Sequence, residues 1–366
     1  MTRLGQAINR RRSDFGFSLD EVARLAGLTS DRLGAIEAGD PPKTFELQAL
    51  ADALAVEVDA LRAGTDRTPR RAVARFRSEL VRMPLTARDL RVLARAAEIG
   101  RVTADLWRIL GKPDSPVVAA RTVVGIAAGE EPWRQGYALG EAARLRLLAS
   151  PAAPLASVQG SLERWGVHVM CVDLETEDIE AAALYESAAH PVIVLNRRAG
   201  RVRDALPRRA ILAHELGHLL HDGGERDLLT VVSAGRDVSG VEQRANGFAP
   251  SFIAPAAGVG VISGAPRDIA LEIGRTWGLS FEGVVWHAKN LRLIEASVAD
   301  QLARSRSGGV DAGQFEEDIP RSPTAMFGLD VEASSLTSGL LSELTLVAFA
   351  DGIISEGRAK EILRME

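Results

Sequence analysis

The sequence has few of the features that mark a secreted or membrane-bound protein. Its 366 residues include one cysteine, Cys171, so an internal disulfide is excluded and a reducing compartment is indicated. No run of 18 apolar residues occurs, and the N-terminal Met-Thr-Arg-Leu-Gly lacks the apolar segment of a signal peptide. These absences predict a cytoplasmic protein that does not interact with a membrane.

Length and charge indicate several folded domains of different character. With 46% hydrophobic residues, the chain can form two or three domains with substantial cores. The net charge is −5, but charge is distributed unevenly along the chain. Residues 1–65 include eight basic and ten acidic residues, whereas residues 62–101 include eleven arginines and four acidic residues. The second stretch, with a net charge of +7, could follow a phosphate backbone or form a solvated helical face.

Histidine is also scarce, yet three of the six histidines fall within one short segment. Residues 214–218 read His-Glu-Leu-Gly-His, the H-E-x-x-H pattern. On a helix, His214 and His218 lie one turn apart on the same face and can bind one metal ion. Glu215 is rotated by about 100° and can reach the open side of the metal. The pattern predicts a zinc hydrolase; the alternative is a buried helix whose histidines make ordinary hydrogen bonds.

A catalytic zinc requires a third protein ligand. His221 is near in sequence, but it lies on the same helix and is poorly placed to complete a tetrahedron. The long metzincin pattern is excluded because it requires histidine at position 224, where this chain has Gly224. Glu242, on a predicted second helix, is the stronger candidate, as in His₂Glu zinc sites. The alternative is a solvated glutamate at a helix start.

Together these motifs resemble the ImmA/IrrE family of metallopeptidases over roughly residues 131 to 290. The resemblance rests on Ala213-His-Glu-Leu-Gly-His218, on the downstream Glu242, Ala245, Asn246, Phe248 and Ala249, and on the preceding Pro191-Val-Ile-Val-Leu-Asn196. It implies that His214, His218 and Glu242 hold the metal and that Glu215 is the catalytic base. Zn²⁺ is the expected ion, and a His₂Glu site also accepts Mn²⁺ or another divalent ion. Well-studied members cleave a DNA-binding repressor, which implies a protein substrate of that kind.

The expected mechanism follows from the metal. Zinc lowers the pKa of its bound water to about 7, and Glu215 accepts the proton during attack on a peptide carbonyl. Residues 191–196 are predicted to form a strand beside the cleft that holds an extended substrate by backbone hydrogen bonds.

The N-terminal 60 residues contain a second motif. Ser18 and Thr29 are predicted helix caps on either side of a turn at Gly27. The segment from Ser18 to Gly39 resembles the phage-repressor, or XRE, type of helix-turn-helix, although Leu19 replaces the glutamine of many members. In that type the third helix enters the major groove. The resemblance implies DNA contacts by Ser30, Asp31, Arg32 and Ala35, and the alternative is a helix-turn-helix used for protein contact.

We therefore predict a multidomain, mainly α protein with a small β-sheet. The predicted order is a five-helix helix-turn-helix domain (1–65), a basic helical connector (66–130), a zincin-like α+β peptidase domain (131–262), a helix-turn-helix-like helical segment (263–300), and a linker with C-terminal helices (301–366). The connector helix is predicted to begin at Thr86 and to stop at Gly100.

The predicted function is a metal-dependent endopeptidase with a DNA-binding domain. Its expected substrate is a transcriptional regulator in a stress, DNA-damage or mobile-element response. The alternative is a DNA-binding regulator or antitoxin-like protein whose metallopeptidase domain acts as a sensor or binding module. The sequence leaves the oligomeric state open, a homodimer included.

Overall fold

The computed structural model describes most of the chain. The described residues are 2–15, 17–54, 56, 58–64, 86–186, 189–222, 228–234, 239–305, 309–311, 315 and 339–363. The arginine-rich run between Arg67 and Arg82 and most of the predicted linker after residue 305 lie outside them. Within the described ranges, none of the helices combines the length and the apolarity needed to cross a bilayer.

Five short helices form the N-terminal region. They are α1 (Arg3–Phe15), α2 (Leu19–Leu25), α3 (Ser30–Ala38), α4 (Thr44–Ala53) and α5 (Val58–Ala63). Ser18 caps α2 in a reciprocal capping box with Glu21, and the Thr29 hydroxyl accepts a hydrogen bond from the Arg32 amide at the start of α3. Gly27, with a φ of 65°, makes the turn between α2 and α3. The predicted positions of the helix caps and the turn are therefore found in the structure.

The other elements of secondary structure in the described chain are helices and four strands. Before the sheet come α6 (Ala87–Ile109), α7 (Pro116–Ala120), α8 (Pro132–Leu147) and α9 (Val158–Arg164). The central elements are β1 (His168–Val172), β2 (Ile179–Glu186), β3 (Val192–Asn196), α10 (Gly200–Arg203), α11 (Ala205–His221), β4 (Leu228–Ala234) and α12 (Gly240–Ile253). The remaining helices are α13 (Ala256–Val259), α14 (Pro266–Trp277), α15 (Phe281–Asn290), α16 (Ala296–Ser305), α17 (Gly339–Ala350) and α18 (Glu356–Leu363).

The four strands form one mixed sheet in the order β1-β3-β2-β4. Strand β1 is parallel to β3, while β2 is antiparallel to both β3 and β4. Alternate residues face opposite sides, and both sides are buried. One face, which includes Met170, Leu184 and Val194, packs against α6 and α17. The other face, which includes Ala183 and Ile193, packs toward α11, so the metal-motif helix rests directly on the sheet.

The structure corrects the predicted role of residues 191–196. Strand β3 is not at the edge of a cleft but in the interior of the sheet, hydrogen-bonded to β1 on one side and to β2 on the other. All five of its residues are buried. Its backbone groups are already paired and cannot hold a substrate strand. The sheet edges are β1 and β4, and β4 was not predicted from the sequence.

The predicted stop of the connector helix at Gly100 is also wrong. Helix α6 continues through Gly100 to Ile109. A β-carbon at Gly100 would lie 2.7 Å from the carbonyl oxygen of His190 and 2.9 Å from the side chain of Val192. The amide of His190 donates a 2.9 Å hydrogen bond to the Gly100 carbonyl. Glycine is therefore needed here because the helix and the chain before β3 approach closely, rather than to end the helix.

Helices α8 and α12 pack so closely that a single added methyl group is expected to separate them. In Gly136→Ala, the new β-carbon would overlap the Arg244 carbonyl oxygen and lie 2.8 Å from the Phe248 amide nitrogen. Backbone atoms cannot move aside as a side chain can. We therefore expect the free energy of unfolding to fall by about 3 kcal/mol, the upper end of typical overpacking costs. Urea unfolding of the full chain measures this change.

Gly200→Ala is the matched control for this prediction. The β-carbon at Gly200 would have no described neighbour within 4 Å, so its effect should stay within about 0.5 kcal/mol. Equal stability of the Gly136 and Gly200 variants would contradict the close packing of α8 on α12.

Candidate metal centre

Helix α11 carries the H-E-x-x-H residues into the interior of the protein. Its apolar side chains, including Leu212, Leu216 and Leu219, are almost fully buried and fix the helix in the core. His218 and Glu215 are completely buried and His214 is 8% exposed. The two histidines, four residues apart, turn toward the neighbouring helix α12 rather than toward solvent.

Helix α12 presents Glu242 to both histidines. Its Oε2 lies 3.1 Å from His214 Nε2, and its Oε1 lies 3.2 Å from His218 Nε2. The two histidine Nε2 atoms are 2.9 Å apart. His214, His218 and Glu242 thus form the one group in the described residues with the composition and closeness of a metal site.

The geometry of this triad fits a divalent metal ion. Ligand atoms bound to tetrahedral zinc at about 2.0–2.2 Å lie roughly 3.3–3.5 Å from one another. The separations of 2.9, 3.1 and 3.2 Å in the triad are only slightly shorter. Two imidazoles and one carboxylate are also a donor set that zinc and manganese accept.

The electrostatics of the triad favour a cation at the same place. Burial alone would lower the pKa of His218, but hydrogen bonds to the carboxylates of Asp222 and Glu242 raise it to about 10. Burial raises the pKa of Glu242, but hydrogen bonds from His214 and His218 outweigh it and bring the value down to about 2. Three carboxylates surround two imidazoles, and this arrangement favours positive charge at the site, either as a proton or as a metal ion.

Glu215 lies beside the triad and has no partner of its own. Both of its carboxylate oxygens are buried, and neither makes a hydrogen bond to any described residue. Burial raises the pKa of Glu215, and the neighbouring histidines and the Ser233 hydroxyl oppose that shift without completing a hydrogen bond. An unpaired buried carboxylate is costly unless something absent from the chain itself interacts with it. A water molecule at a metal would be such a group.

Two residues that the sequence did not suggest support the triad. The Nδ1–H of His218 donates a 2.6 Å hydrogen bond to Asp222, which leaves the Nε2 lone pair of His218 free for a metal. Asp222 in turn pairs with the buried guanidinium of Arg244, which also donates a 2.6 Å hydrogen bond to the Val124 carbonyl. The sequence signal for Asp222 was its spacing, since it follows His218 by four residues, directly after the last residue of α11.

His221 lies on the same helix but outside the triad. Its Nδ1–H donates a 3.1 Å hydrogen bond to the Thr122 carbonyl, and its ring packs against Phe248. Burial lowers the pKa of His221 to about 4, so the ring is neutral. The amides of Thr122 and Val124 donate to the last carbonyls of α11, so this extended segment caps the end of the metal-motif helix.

A cavity of about 370 Å³ opens onto the triad. His214, Glu215 and Glu242 line one part of it, together with Ser233 of β4. Glu180 and Arg201, which also line it, form a 2.9 Å ion pair with each other. The cavity is large enough for a substrate side chain and its adjoining peptide group, and Glu215 is part of its lining.

The four predicted DNA-contacting residues all lie on the first two turns of α3. Asp31 is exposed, and Ser30 and Ala35 are half-buried. The Ser30 hydroxyl donates a hydrogen bond to Asp20. Arg32 donates to both oxygens of Glu46, at 2.9 and 2.8 Å, and this pairing is the main reason that the pKa of Glu46 is lowered to about 2. The only basic residue of the four is therefore already paired with a carboxylate.

Metal binding is expected to stabilise the folded protein measurably. At a zinc concentration of 100 times the dissociation constant, the gain is about 2.7 kcal/mol and appears as a higher melting temperature. Glu242→Gln should remove most of this gain, whereas His221→Gln should keep it because His221 lies outside the triad. A zinc-dependent shift that is the same in both variants would place the metal elsewhere.

The family comparison covers this same region. Residues 162–285 match the model of the peptidase M78 family, described as the IrrE N-terminal-like domain. Searches among curated proteins and among solved structures found no match. The matched segment contains the sheet, α11 with His214 and His218, α12 with Glu242, and α14. The match supports the resemblance to ImmA/IrrE proteins and a metallopeptidase-type function for this third of the chain.

Proposed function

We propose that the protein is a metal-dependent endopeptidase in which His214, His218 and Glu242 hold the metal and Glu215 is the general base. The observation that carries this proposal is the triad of ligand atoms beside a buried, unpartnered Glu215 in one cavity. A bound divalent ion would polarise the scissile carbonyl and lower the pKa of a water molecule to about 7.

The remaining chemistry belongs to side chains of the protein. Glu215 accepts a proton from the attacking water and passes it to the leaving amine nitrogen, which balances the hydrolysis. Asp222 holds the His218 ring in the tautomer that a metal ligand requires. Strand β4 is an edge strand, and its residue Ser233 lines the cavity, so its backbone is the place for an extended substrate to pair.

We further propose that the substrate of this endopeptidase is a transcriptional regulator. The test incubates the zinc- or manganese-loaded full chain with purified helix-turn-helix repressors encoded beside its gene, and mass spectrometry identifies the products. We expect one cut at a defined bond, abolished by a chelator and by Glu215→Gln. Intact repressors throughout, or equal cleavage by Glu215→Gln, would contradict the proposal.

DNA binding by the N-terminal helices is the second proposed function, supported by the capped α2–turn–α3 arrangement. Since Arg32 is held by Glu46, Glu46→Gln should release it toward a phosphate or base. Fluorescence anisotropy with duplex DNA should show tighter binding. The logarithm of the binding constant should also fall more steeply with the logarithm of salt concentration, by about one released counterion. Adding Arg32→Ala should reverse both effects. Unchanged binding would favour a protein-contact role for α3.

The opposing proposal is a regulator or antitoxin-like protein whose peptidase domain only senses or binds a ligand. It predicts operator binding that persists in His214→Ala and no cleavage of any candidate substrate. Comparing wild type and His214→Ala in both assays separates the two proposals, because only the endopeptidase loses its defining activity in the variant.

A further inference from the structure

The cavity beside the triad has a second wall made of aromatic side chains. Trp133 and Tyr137 project from α8, and Trp286 and His287 project from α15. Trp133 and Tyr137 are four residues apart and share one side of α8, while Trp286 and His287 follow the cavity-lining Gly283 by three and four residues on α15. Helix α15, part of the segment that the sequence suggested as a second helix-turn-helix, therefore contributes to a wall of the candidate active site.

Three of the four rings of this wall form a continuous surface. Trp133 meets Tyr137 edge to face with 5.8 Å between ring centroids, and Tyr137 stacks on His287 at 5.6 Å. Trp286, still 36% exposed, extends the surface toward solvent. Such an arrangement offers a large side chain favourable ring contacts as well as burial of apolar area.

The polar side-chain atoms of Tyr137 and His287 are already hydrogen-bonded. The Nε2–H of His287 donates to the Ala254 carbonyl at 2.8 Å, so its Nδ1 accepts the 2.8 Å hydrogen bond from the Tyr137 hydroxyl. Asn290 donates to the same hydroxyl oxygen at 3.2 Å. Burial lowers the pKa of His287 to about 4 and raises that of Tyr137 to about 12, so both are neutral. The guanidinium of Arg134 lies 5.2 Å from the centroid of the Trp133 ring and the ammonium of Lys289 lies 4.9 Å from that of Trp286, but neither residue is part of the cavity lining.

Among the described charged residues that line the cavity, all but Glu215 are paired or belong to the triad. Glu180 pairs with Arg201, and Glu242 is held by the two histidines. An acidic substrate side chain against the aromatic wall would lose its hydration in a cavity whose lining also holds the carboxylates of Glu215 and Glu242. The cavity therefore discriminates against an acidic side chain as well as favouring apolar groups.

Gly283 keeps the space in front of the wall open. It lies on the cavity-facing side of α15, and a β-carbon there would meet only the hydroxyl of Ser280 among the described residues, at 3.2 Å. The remaining volume in front of Gly283 is therefore free for a substrate group.

We infer that the wall formed by Trp133, Tyr137, Trp286 and His287 is a specificity subsite that receives a large apolar, preferably aromatic, side chain adjoining the scissile peptide bond. The inference rests on the proposed endopeptidase function, because the triad and the wall line one cavity.

Amino-acid hydroxamates test the subsite separately from catalysis. Their hydroxamate group binds an active-site metal, while the side chain probes the wall. By calorimetry on the zinc-loaded full chain, L-phenylalanine hydroxamate should bind about 10- to 100-fold more tightly than glycine hydroxamate, as expected for burial of one large apolar side chain. L-aspartate hydroxamate should bind no better than glycine hydroxamate.

Gly283→Leu should fill the open space and remove most of the preference for phenylalanine while leaving glycine hydroxamate binding intact. Glu282→Leu is the matched control, since Glu282 is exposed and outside the cavity lining. Trp286→Ala, at the rim of the wall, should reduce the preference without filling the cavity. Melting temperatures of all three variants establish that they are folded.

The outcomes separate the subsite from the metal centre. Binding of the phenylalanine, glycine and aspartate compounds within threefold of one another, or equal effects of Gly283→Leu and Glu282→Leu, would overturn the subsite. Failure of glycine hydroxamate to bind would instead count against the metal centre. In that case, binding of N-acetyl-phenylalaninamide and of N-acetyl-aspartamide is compared by tryptophan fluorescence. Tighter binding of the phenylalanine compound that Gly283→Leu abolishes would support the subsite. Equal binding of the two compounds would overturn it.

Discussion

Glu215→Gln is expected to lower kcat/KM for peptide hydrolysis by about 10²- to 10⁴-fold, the range that a general base contributes. The amide has nearly the same shape as the carboxylate but cannot accept the proton of the attacking water. Because Glu215 is outside the ligand triad, the variant should bind one equivalent of metal as the wild type does. Steady-state kinetics on the cleaved substrate measure the first effect, and metal analysis of the dialysed protein measures the second.

The stability of this variant provides an internal control. Glu215 is fully buried without a hydrogen-bond partner in the described chain, so replacing it by a neutral amide should not destabilise the fold. A variant that unfolds at a lower temperature would indicate a structural role for Glu215. A folded, metal-loaded variant that retains more than a tenth of wild-type activity would contradict its assignment as the base.

Asp222→Ala is expected to have the second largest effect, on both metal affinity and stability. Without Asp222, the His218 ring loses the acceptor that fixes its tautomer, and metal affinity should fall about 10- to 100-fold. Arg244, which is only 3% exposed, loses the carboxylate that neutralises it. Removing one partner of a buried ion pair typically costs about 3–5 kcal/mol. Competition with a zinc chelator and urea unfolding measure the two effects.

Asp222→Asn separates the two roles of this residue. The amide oxygen can still accept a hydrogen bond from His218 or Arg244 but carries no charge. We therefore expect metal affinity between those of wild type and Asp222→Ala, with a smaller loss of stability. If Asp222→Ala binds zinc as tightly as the wild type, the proposed support of the metal ligand by Asp222 is wrong.

The triad could be anticipated from the sequence because its parts are local. The four-residue spacing of His214 and His218 fixes their relative position on any α-helix. Glu242 required the additional inference that a second helix packs against the first, and the packing of α12 on α11 places its carboxylate within 3.2 Å of both imidazoles.

Features that depend on tertiary arrangement were missed or misplaced. The residues of β3 read correctly as a strand, but nothing within the segment states that β1 and β2 flank it. Gly100 looked like a helix stop because the close approach of His190 lies 90 residues away. The ion pair between Arg244 and Asp222 was also missed, because the two residues are 22 positions apart. The aromatic wall was missed because it combines residues of α8 with residues of α15.

The most direct test of the metal centre is a crystal soaked in zinc and measured at the zinc absorption edge. We predict one strong anomalous peak about 2.0–2.2 Å from His214 Nε2, His218 Nε2 and a carboxylate oxygen of Glu242. It should be absent from crystals of His218→Ala. A zinc-soaked crystal without density among these three side chains, or with its zinc bound elsewhere, would contradict the assignment of the triad as the metal centre.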